Sequence, residues 1–303
     1  MQVEKNMPDE SDVEMFAGDK KKTFPVLFLC LARDCADTIP LFFKYLGRLE
    51  ACGFSCTAII GENGSSDRTR SLIEEVAGRK IVLLDTSSMK TGSSRLSRMA
   101  IGRQALLEAA EARGVFDGYV CVMDLDNIVV APPDPLAVRS AIGQLHADAS
   151  LFAIGATSVP VYYDLLSLRV DGFEFLASLN REIAKAKKSP MSYFSFHKER
   201  IYKIQRLITN SIPVLCSSSF NGFCCYNASD YRLGSYRSPD EADVCEHVSF
   251  NLSIGSLTGK KMLISSELVL RAPANHVPVS FFRFWSDRIR KLTPRISLMR
   301  QRR

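Results

Sequence analysis

The chain has 303 residues, 46% of them hydrophobic and 9% aromatic, with 39 basic against 33 acidic side chains and a formal net charge of +6. That length and composition suit a soluble protein of one large or two medium domains with a sizeable core. They leave no room for an integral membrane protein: the run "FPVLFLCLA" is far too short to cross a bilayer and ends in Arg33 and Asp34.

The first 22 residues, "MQVEKNMPDESDVEMFAGDKKK", are polar and lack an apolar core, so they read as a disordered tail of residues 1–22 and not as a secretory signal. "FPVLFLCLARD" then reads as a buried strand and "TIPLFFKYLGRLEACG" as a helix. "FSCTAIIGENGSSDRT" is a second strand with a glycine- and serine-rich exit, and "RTRSLIEEVAG" a second helix. "KIVLLDTS" is a third strand, and "SSRLSRMAIGRQALLEAAEARG" a long helix capped by Ser93 or Ser94. "DGYVCVMDLDN" is a fourth strand. Continuous apolar strands alternating with helices predict an α/β fold whose parallel sheet is covered on both faces. After Pro135 the pattern loosens into a helix "PLAVRSAIGQLHA", a strand "LFAIGATSV" and a polar stretch from Leu179 to Ile208 read as a helix and a loop.

Nine cysteines stand without a CxxC pair, several of them inside apolar runs, which favours a reducing cytoplasm over a disulfide framework or a zinc cluster. From Phe281 onward eight basic residues face a lone Asp287, so the charge excess sits at the end of the chain. There "FFRFW" interleaves aromatics with arginine. This basic tail, 281–303, suits contact with an anionic membrane or plain solvation equally. No nucleic-acid recognition module is visible.

In an open parallel sheet, ligands bind outside the carboxyl ends of the strands, and the chemistry-bearing residues fall there. Asp124 and Asp126, one residue apart at the end of an apolar strand, would point to one side if the backbone stayed extended. Two converging carboxylates suit a hard cation such as Mg²⁺ or Mn²⁺; the plain alternative is the start of a polar turn. Glu62, Asn63 and Asp67 flank Gly64, Ser65 and Ser66 at another strand exit and supply acceptors for a polar ligand, with Ser66 or Asp67 also able to cap the next helix. Arg98 and Arg103 lie on the long helix, where a solvated face would claim at least one of them. "DEADVCEHVSFN" gathers Glu241, Asp243, Glu246 and His247. Of Glu246 and His247, adjacent in sequence, one can face a site while the other is structural. Tyr162, Tyr163 and Asp164, with Asn221, Gly222 and Phe223 of "SFNGFCCYN", read either as acceptor contacts or as core and an ordinary turn. His146, His197 and His276 are isolated and read as structural.

Taken in order, "VLFLCLARDCADTIPLFFKYL", "AIIGENGSSDRT", "RLSRMAIGRQALLE" and "YVCVMDLDN" resemble the nucleotide-sugar glycosyltransferases of the GT-A fold. Among these the chain is most similar to the capsule-associated (CAP-type) mannosyltransferase-like enzymes. The resemblance covers 24–127 well and 162–251 loosely. It implies one GT-A domain over 23–280, with a Rossmann-like nucleotide-binding half (23–130) and an acceptor half (131–280). It implies that Ala32, Arg33, Glu62, Asn63 and Asp67 hold the nucleoside of a UDP- or GDP-linked sugar, that Asp124 and Asp126 hold Mn²⁺ or Mg²⁺ on its diphosphate, and that Arg98 and Arg103 assist the phosphates. It places Glu246 and His247 where relatives complete the metal site or serve the reaction, with Asp126 beside them. Tyr163, Asp164, Asn221 and Gly222 fall on the acceptor side, for a glycan or lipid-linked acceptor. Arg68 stands where relatives often have glycine, and no carboxylate pair marks an inverting base, so the stereochemistry stays open. A phosphatase would carry its DxD after the first strand. A sugar nucleotidyltransferase would open on a glycine-rich loop that "LARDCADT" lacks. A scaffold that binds a nucleotide-sugar without turning it over is the remaining alternative.

Overall fold

The computed structural model describes residues 23–236, 244–286 and 289. The N-terminal tail, Glu241 and Asp243, and most of the basic tail lie outside the described residues.

The first half follows its hydrophobic pattern. Strands β1 (Phe24–Ala32), β2 (Phe54–Glu62), β3 (Ile81–Asp85) and β4 (Tyr119–Asp124) are parallel neighbours in the order β3-β2-β1-β4. Between them run α1 (Ile39–Ala51), α2 (Thr69–Glu74) and α3 (Arg95–Arg113). Ser94 caps α3, its hydroxyl accepting from the Ser97 amide at 3.0 Å, and Gly114 ends the helix in the left-handed conformation that a residue without Cβ takes freely. The apolar runs are continuous because both sheet faces are buried. In β1, Val26, Phe28 and Cys30 meet Phe42 and Tyr45 of α1, while Leu27 and Leu29 join Leu106 and Leu107 of α3 on the other face.

The second half completes one eight-stranded sheet, in the order β3-β2-β1-β4-β7-β5-β8-β6. After the short α4 (Asn127–Val130) and α5 (Pro135–Ala147), β5 (Leu151–Val159) enters. Three helical segments follow: α6 (Leu179–Ala186), α7 (Pro190–Phe196) and α8 (Tyr202–Ser211). The stretch expected to be a helix and a loop is thus mostly helical, restarted at Pro190, whose fixed φ suits a first helical turn. Then come β6 (Val214–Cys216), β7 (Phe223–Asn227), α9 (Ala228–Tyr231), α10 (Glu246–Thr258) and β8 (Lys261–Arg271). The sheet is mostly parallel but not wholly so. β7 runs antiparallel between β4 and β5, and β6 antiparallel beside β8.

β7 matters because it lies against the DLD strand. Asn221 (φ 56°) and Gly222 (φ 87°) form a two-residue reversal closed by the Phe223 amide donating to the Phe220 carbonyl at 3.2 Å. The Gly222 carbonyl then accepts from the Asp124 amide at 3.1 Å, seating this turn beside the end of β4. A side chain at Gly222 would collide with the Tyr163 hydroxyl at 2.6 Å and with Ile128 at 2.8 Å. No helix among the described residues is long and apolar enough to cross a membrane.

The entry to β4 is equally tight. Gly118 has φ 67°, and a Cβ there would lie 2.5 Å from the Pro25 carbonyl oxygen. Gly118→Ala should therefore destabilise the fold by about 2 kcal/mol or more, read as a lowered denaturation midpoint at unchanged m-value. A variant as stable as the parent would show that the close approach does not constrain β4.

Candidate active site

Parallel register brings the site together. Ala32 at the end of β1 pairs with Glu62 on one side, and Leu31 pairs with Asp124 on the other. The carboxyl ends of three adjacent strands thus present Glu62, Ala32 and Asp124 along one edge of the sheet.

The loops after β1 and β2 are stitched to each other. Asp34, at φ 50°, accepts through Oδ1 from the Ser66 amide at 2.7 Å and hydroxyl at 2.9 Å, and its own amide donates to the Ser65 hydroxyl at 3.0 Å. Asp67 accepts from the Ala36 amide at 3.0 Å and the Thr69 amide at 2.9 Å, and the Cys35 amide donates to Thr69 Oγ1 at 2.8 Å. Asp67 is thus a pin between the loops; the cap position of α2 is Arg68, without a side-chain cap bond, so neither Ser66 nor Asp67 caps that helix as expected. Arg33 remains exposed at the rim, 3.6 Å from Asp34.

Glu62 is fully buried, and both of its oxygens are engaged, Oε1 by the Ser65 amide and Oε2 by Arg70 Nη1 at 2.8 Å. Burial alone would raise its carboxyl. The Ser65 and Gly64 amides, the Ser65 hydroxyl and Arg70 outweigh that and hold it below its ordinary value. Glu62 is therefore the clasp of its own loop, while Asn63 beside it is 6% exposed and keeps a buried Oδ1 without a hydrogen-bond partner. Arg70 also reaches Glu74 and Asp85, and it escaped the sequence reading because the i,i+4 spacing to Glu74 looks like an ordinary surface pair.

On the other side of β1, Arg103 comes up from α3. It is 2% exposed, donates from Nη2 to Asp124 Oδ1 at 2.8 Å, and brings Nε within 3.7 Å of Glu246 Oε1. Its guanidinium carbon lies 5.0 Å from the Phe220 ring centroid, and Nε and Nη1 are buried without hydrogen-bond partners. Arg103 is an internal counter-ion, whereas Arg98 on the same helix is exposed. Glu246 and His247, at the start of α10, turn toward one another, with Glu246 Oε1 3.8 Å from His247 Nε2. His247 is 2% exposed and stacks on Phe220 at 3.7 Å and 15°, with neither ring nitrogen hydrogen-bonded. Burial and the charge of Arg103 keep its imidazole neutral, far below its ordinary value. Phe220 carried no sequence signal; it matters as a ring that both the Arg103 guanidinium and the His247 imidazole lie against.

The expectation that Asp124 and Asp126 share one side of a strand needs correcting. β4 ends at Asp124, Leu125 drops into the core, and Asp126 becomes the cap of α4, its carboxylate accepting from the Ile128 amide at 3.4 Å. Alternation ceases where the backbone turns helical. The two charges nonetheless meet. Desolvation pushes the Asp124 carboxyl up to about 7, against Arg103, and Asp126, Asp164 and Glu246 add to the rise. Asp164 itself is raised by burial, opposed by bonds from Ser167 and the Asn221 amide. Tyr163 and Asp164 are held by the turn: both of their amides donate to Asn221 Oδ1, at 3.3 and 3.2 Å, and Asp164 Oδ2 accepts from the Asn221 amide at 3.3 Å. Tyr162 is a core residue whose hydroxyl meets Ser219. Of the isolated histidines, His146 bonds Tyr119, His197 packs among aromatics, and His276 lies 5.4 Å from the Tyr163 ring.

The structure thus brings Asp124 and Glu246 to Arg103, with His247 beside Glu246, has Asp126 and Asp164 acting on Asp124, sets Asn221 and Gly222 alongside, and keeps the Glu62–Asp67 loop across β1. Among the described residues no three His, Cys, Asp or Glu side chains form a group that could hold a metal ion by themselves. Asp124, which Asp126, Asp164 and Glu246 all push toward protonation, would be relieved by a cation held by one or two carboxylates plus phosphate oxygens.

Because Glu62 is lowered, its contribution to stability is present above its unfolded pKa near 4.5 and is lost as pH falls through the folded value. Glu62→Gln should cost about 2 kcal/mol at neutral pH, and the gap to the parent should close on acidification toward pH 3. Denaturation measured across that range checks this; a gap that does not change with pH would contradict it.

No family model matches the chain and no curated protein matches its sequence. Among solved structures it is similar to glucosyl-3-phosphoglycerate synthase from Mycobacterium tuberculosis in complex with Mn²⁺, UDP and glucosyl-3-phosphoglycerate, at 13% identity and a TM-score of 0.46, over 93% of this chain and 81% of that one. It is also similar to mannosyl-3-phosphoglycerate synthase from Rubrobacter xylanophilus, at 9% identity and a TM-score of 0.43, over 87% and 69%. A third is S. aureus TarS 1-349, at 10% identity and a TM-score of 0.45, over 81% and 59%.

Proposed function

We propose that the chain is a metal-dependent glycosyltransferase of the GT-A type, moving a hexose from a UDP- or GDP-linked donor to a hydroxyl of a glycan or lipid-linked acceptor. Mannose is the sugar that the sequence resemblance favours. The observation that carries the reading is Arg103, buried and paired with Asp124 at the end of β4, with Asp126, Asp164 and Glu246 around it and the Glu62–Asp67 loop across one strand. A carboxylate-rich strand end facing a polar loop is the arrangement that a sugar nucleotide's diphosphate and nucleoside need.

In this reading Asp124 and Asp126 hold Mn²⁺ or Mg²⁺, which when bound neutralises charge developing on the leaving diphosphate. Asn63 offers its unpartnered oxygen to a nucleoside donor, and Ala32, Arg33 and Asp67 form or brace the rim around it. Tyr163 and Asp164, set by Asn221 and Gly222, face the acceptor. The bond from the anomeric carbon to the phosphate oxygen breaks, a bond to the acceptor oxygen forms, and the acceptor's proton leaves to a nearby base. Asp164 and Glu246 are the carboxylates placed to take it. Arg103 joins Asp124 and Glu246 through one guanidinium, and His247, neutral and stacked on Phe220, sits beside Glu246. A cytoplasmic location belongs to the same proposal, since all nine cysteines are free thiols.

The Arg103–Asp124 pair also favours a second reading, a scaffold that binds a nucleotide-sugar without turnover, because one Asp124 oxygen is already engaged. One experiment separates the two. A thermal-shift screen of UDP- and GDP-sugars with and without Mn²⁺ should raise the melting temperature only when both are present. Mn²⁺-dependent donor hydrolysis should then fall about a hundredfold or more in Asp124→Asn and Asp126→Asn, a loss of about 2.7 kcal/mol in transition-state stabilisation. Binding without hydrolysis would leave the scaffold reading; neither binding nor hydrolysis with any donor would sink both.

A further inference from the structure

The segment from Arg181 to Arg206, spanning α6 to α8, carries eight basic residues and two acidic ones, a local excess of +6 that matches the whole chain's. All eight basic side chains are exposed, and the two acids, Glu182 and Glu199, are paired to Lys185 and Lys203 within their own helices. Large apolar side chains stand among these cations. Met191, at the start of α7, is 62% exposed, Leu207 on α8 55% and Phe282 84%. Phe282 belongs to the helical segment 281–286 that docks on α7, with Phe281 5.1 Å from Phe194 and Trp285 6.2 Å from Tyr193. Lys187 lies 6.0 Å over the same Tyr193 ring. Of the tail's aromatics, Phe281, Phe284 and Trp285 thus pack on α7, while Phe282 is left at the surface.

We infer that this helical face, α6 to α8 with the segment 281–286, docks the protein on an anionic lipid bilayer. Cations alone would suit any polyanion. Protruding Phe and Met side chains gain nothing from phosphates in water, but they gain free energy when they enter the boundary between headgroups and acyl chains, and the surrounding Lys and Arg meet the anionic headgroups. Single exposed hydrophobics are common on soluble proteins; here they coincide with the most basic stretch of the described chain. Residues 290–303 continue the same charge in sequence, with six basic side chains and no acid. The inference stands on charge and exposure and does not depend on the glycosyltransferase reading.

The test is cosedimentation of the full chain with phosphatidylcholine vesicles, with and without phosphatidylserine, against poly(U) as a competing polyanion. The protein should sediment only with phosphatidylserine vesicles and should be released by salt. A Lys188→Ala/Lys198→Ala/Arg206→Ala variant, shown folded by circular dichroism, should lose about a hundredfold in partitioning. Phe282→Ser should lose roughly tenfold on vesicles while leaving any poly(U) binding unchanged. Equal binding to neutral vesicles, no binding to either, or a Phe282→Ser protein that partitions like the parent would overturn the inference.

Discussion

A buried guanidinium needs negative charge around it, and that requirement organises the centre of this protein. Arg103 is 2% exposed and cannot shed its proton, so its site must supply carboxylates. Asp124 comes from the end of β4 and Glu246 from the start of α10, two elements far apart in sequence and joined through this cation. The pair fixes where α3 and α10 sit over the sheet and leaves the end of β4 with a carboxyl that Asp126, Asp164 and Glu246 all push toward protonation. Such a carboxyl is relieved either by taking up a proton or by a nearby cation. That is the physical reason for reading the cluster as prepared for a cation.

The other half of the site depends on hydrogen bonds instead. Glu62, buried at the end of β2, closes its loop onto Ser65 and Arg70, and Asp34 and Asp67 cross-link that loop to the exit of β1. Glu62, Asp34 and Asp67 are each used at least partly for construction. The glycine and serine content that reads as a permissive loop is, in the folded chain, a set of amides aimed at fixed carboxylates. Asn63, with its free oxygen, is the residue that the construction leaves over.

Much of this was legible in the sequence where one rule dominated. Continuous apolar runs marked the four parallel strands, Ser93 or Ser94 marked the start of α3, and a turn was one of the two readings of Asn221-Gly222. The DLD stretch was legible as a strand end, but not in its geometry, because nothing in "DLDN" says that the chain turns helical after Leu125. β6 and β7, the antiparallel members of a mostly parallel sheet, had no strand signal of their own, and a strand's direction depends on its connections and not on its own residues. The role of Arg103 was hidden for a similar reason. An arginine on an amphipathic helix looks solvated until the partner carboxylates arrive from 21 and 143 positions further along the chain. Phe220, which packs against both Arg103 and His247, has no local signature at all.

The central claim is that Asp124 and Asp126 form an incomplete cation site that a nucleoside diphosphate completes. The most direct measurement is Mn²⁺ binding followed by electron paramagnetic resonance, with and without UDP or GDP. Because the described residues present no closed set of protein ligands, Mn²⁺ should bind weakly alone and tightly once the diphosphate supplies its oxygens, and Asp124→Asn should abolish the gain. Equally tight binding in the absence of a nucleotide, or none in its presence, would contradict the account.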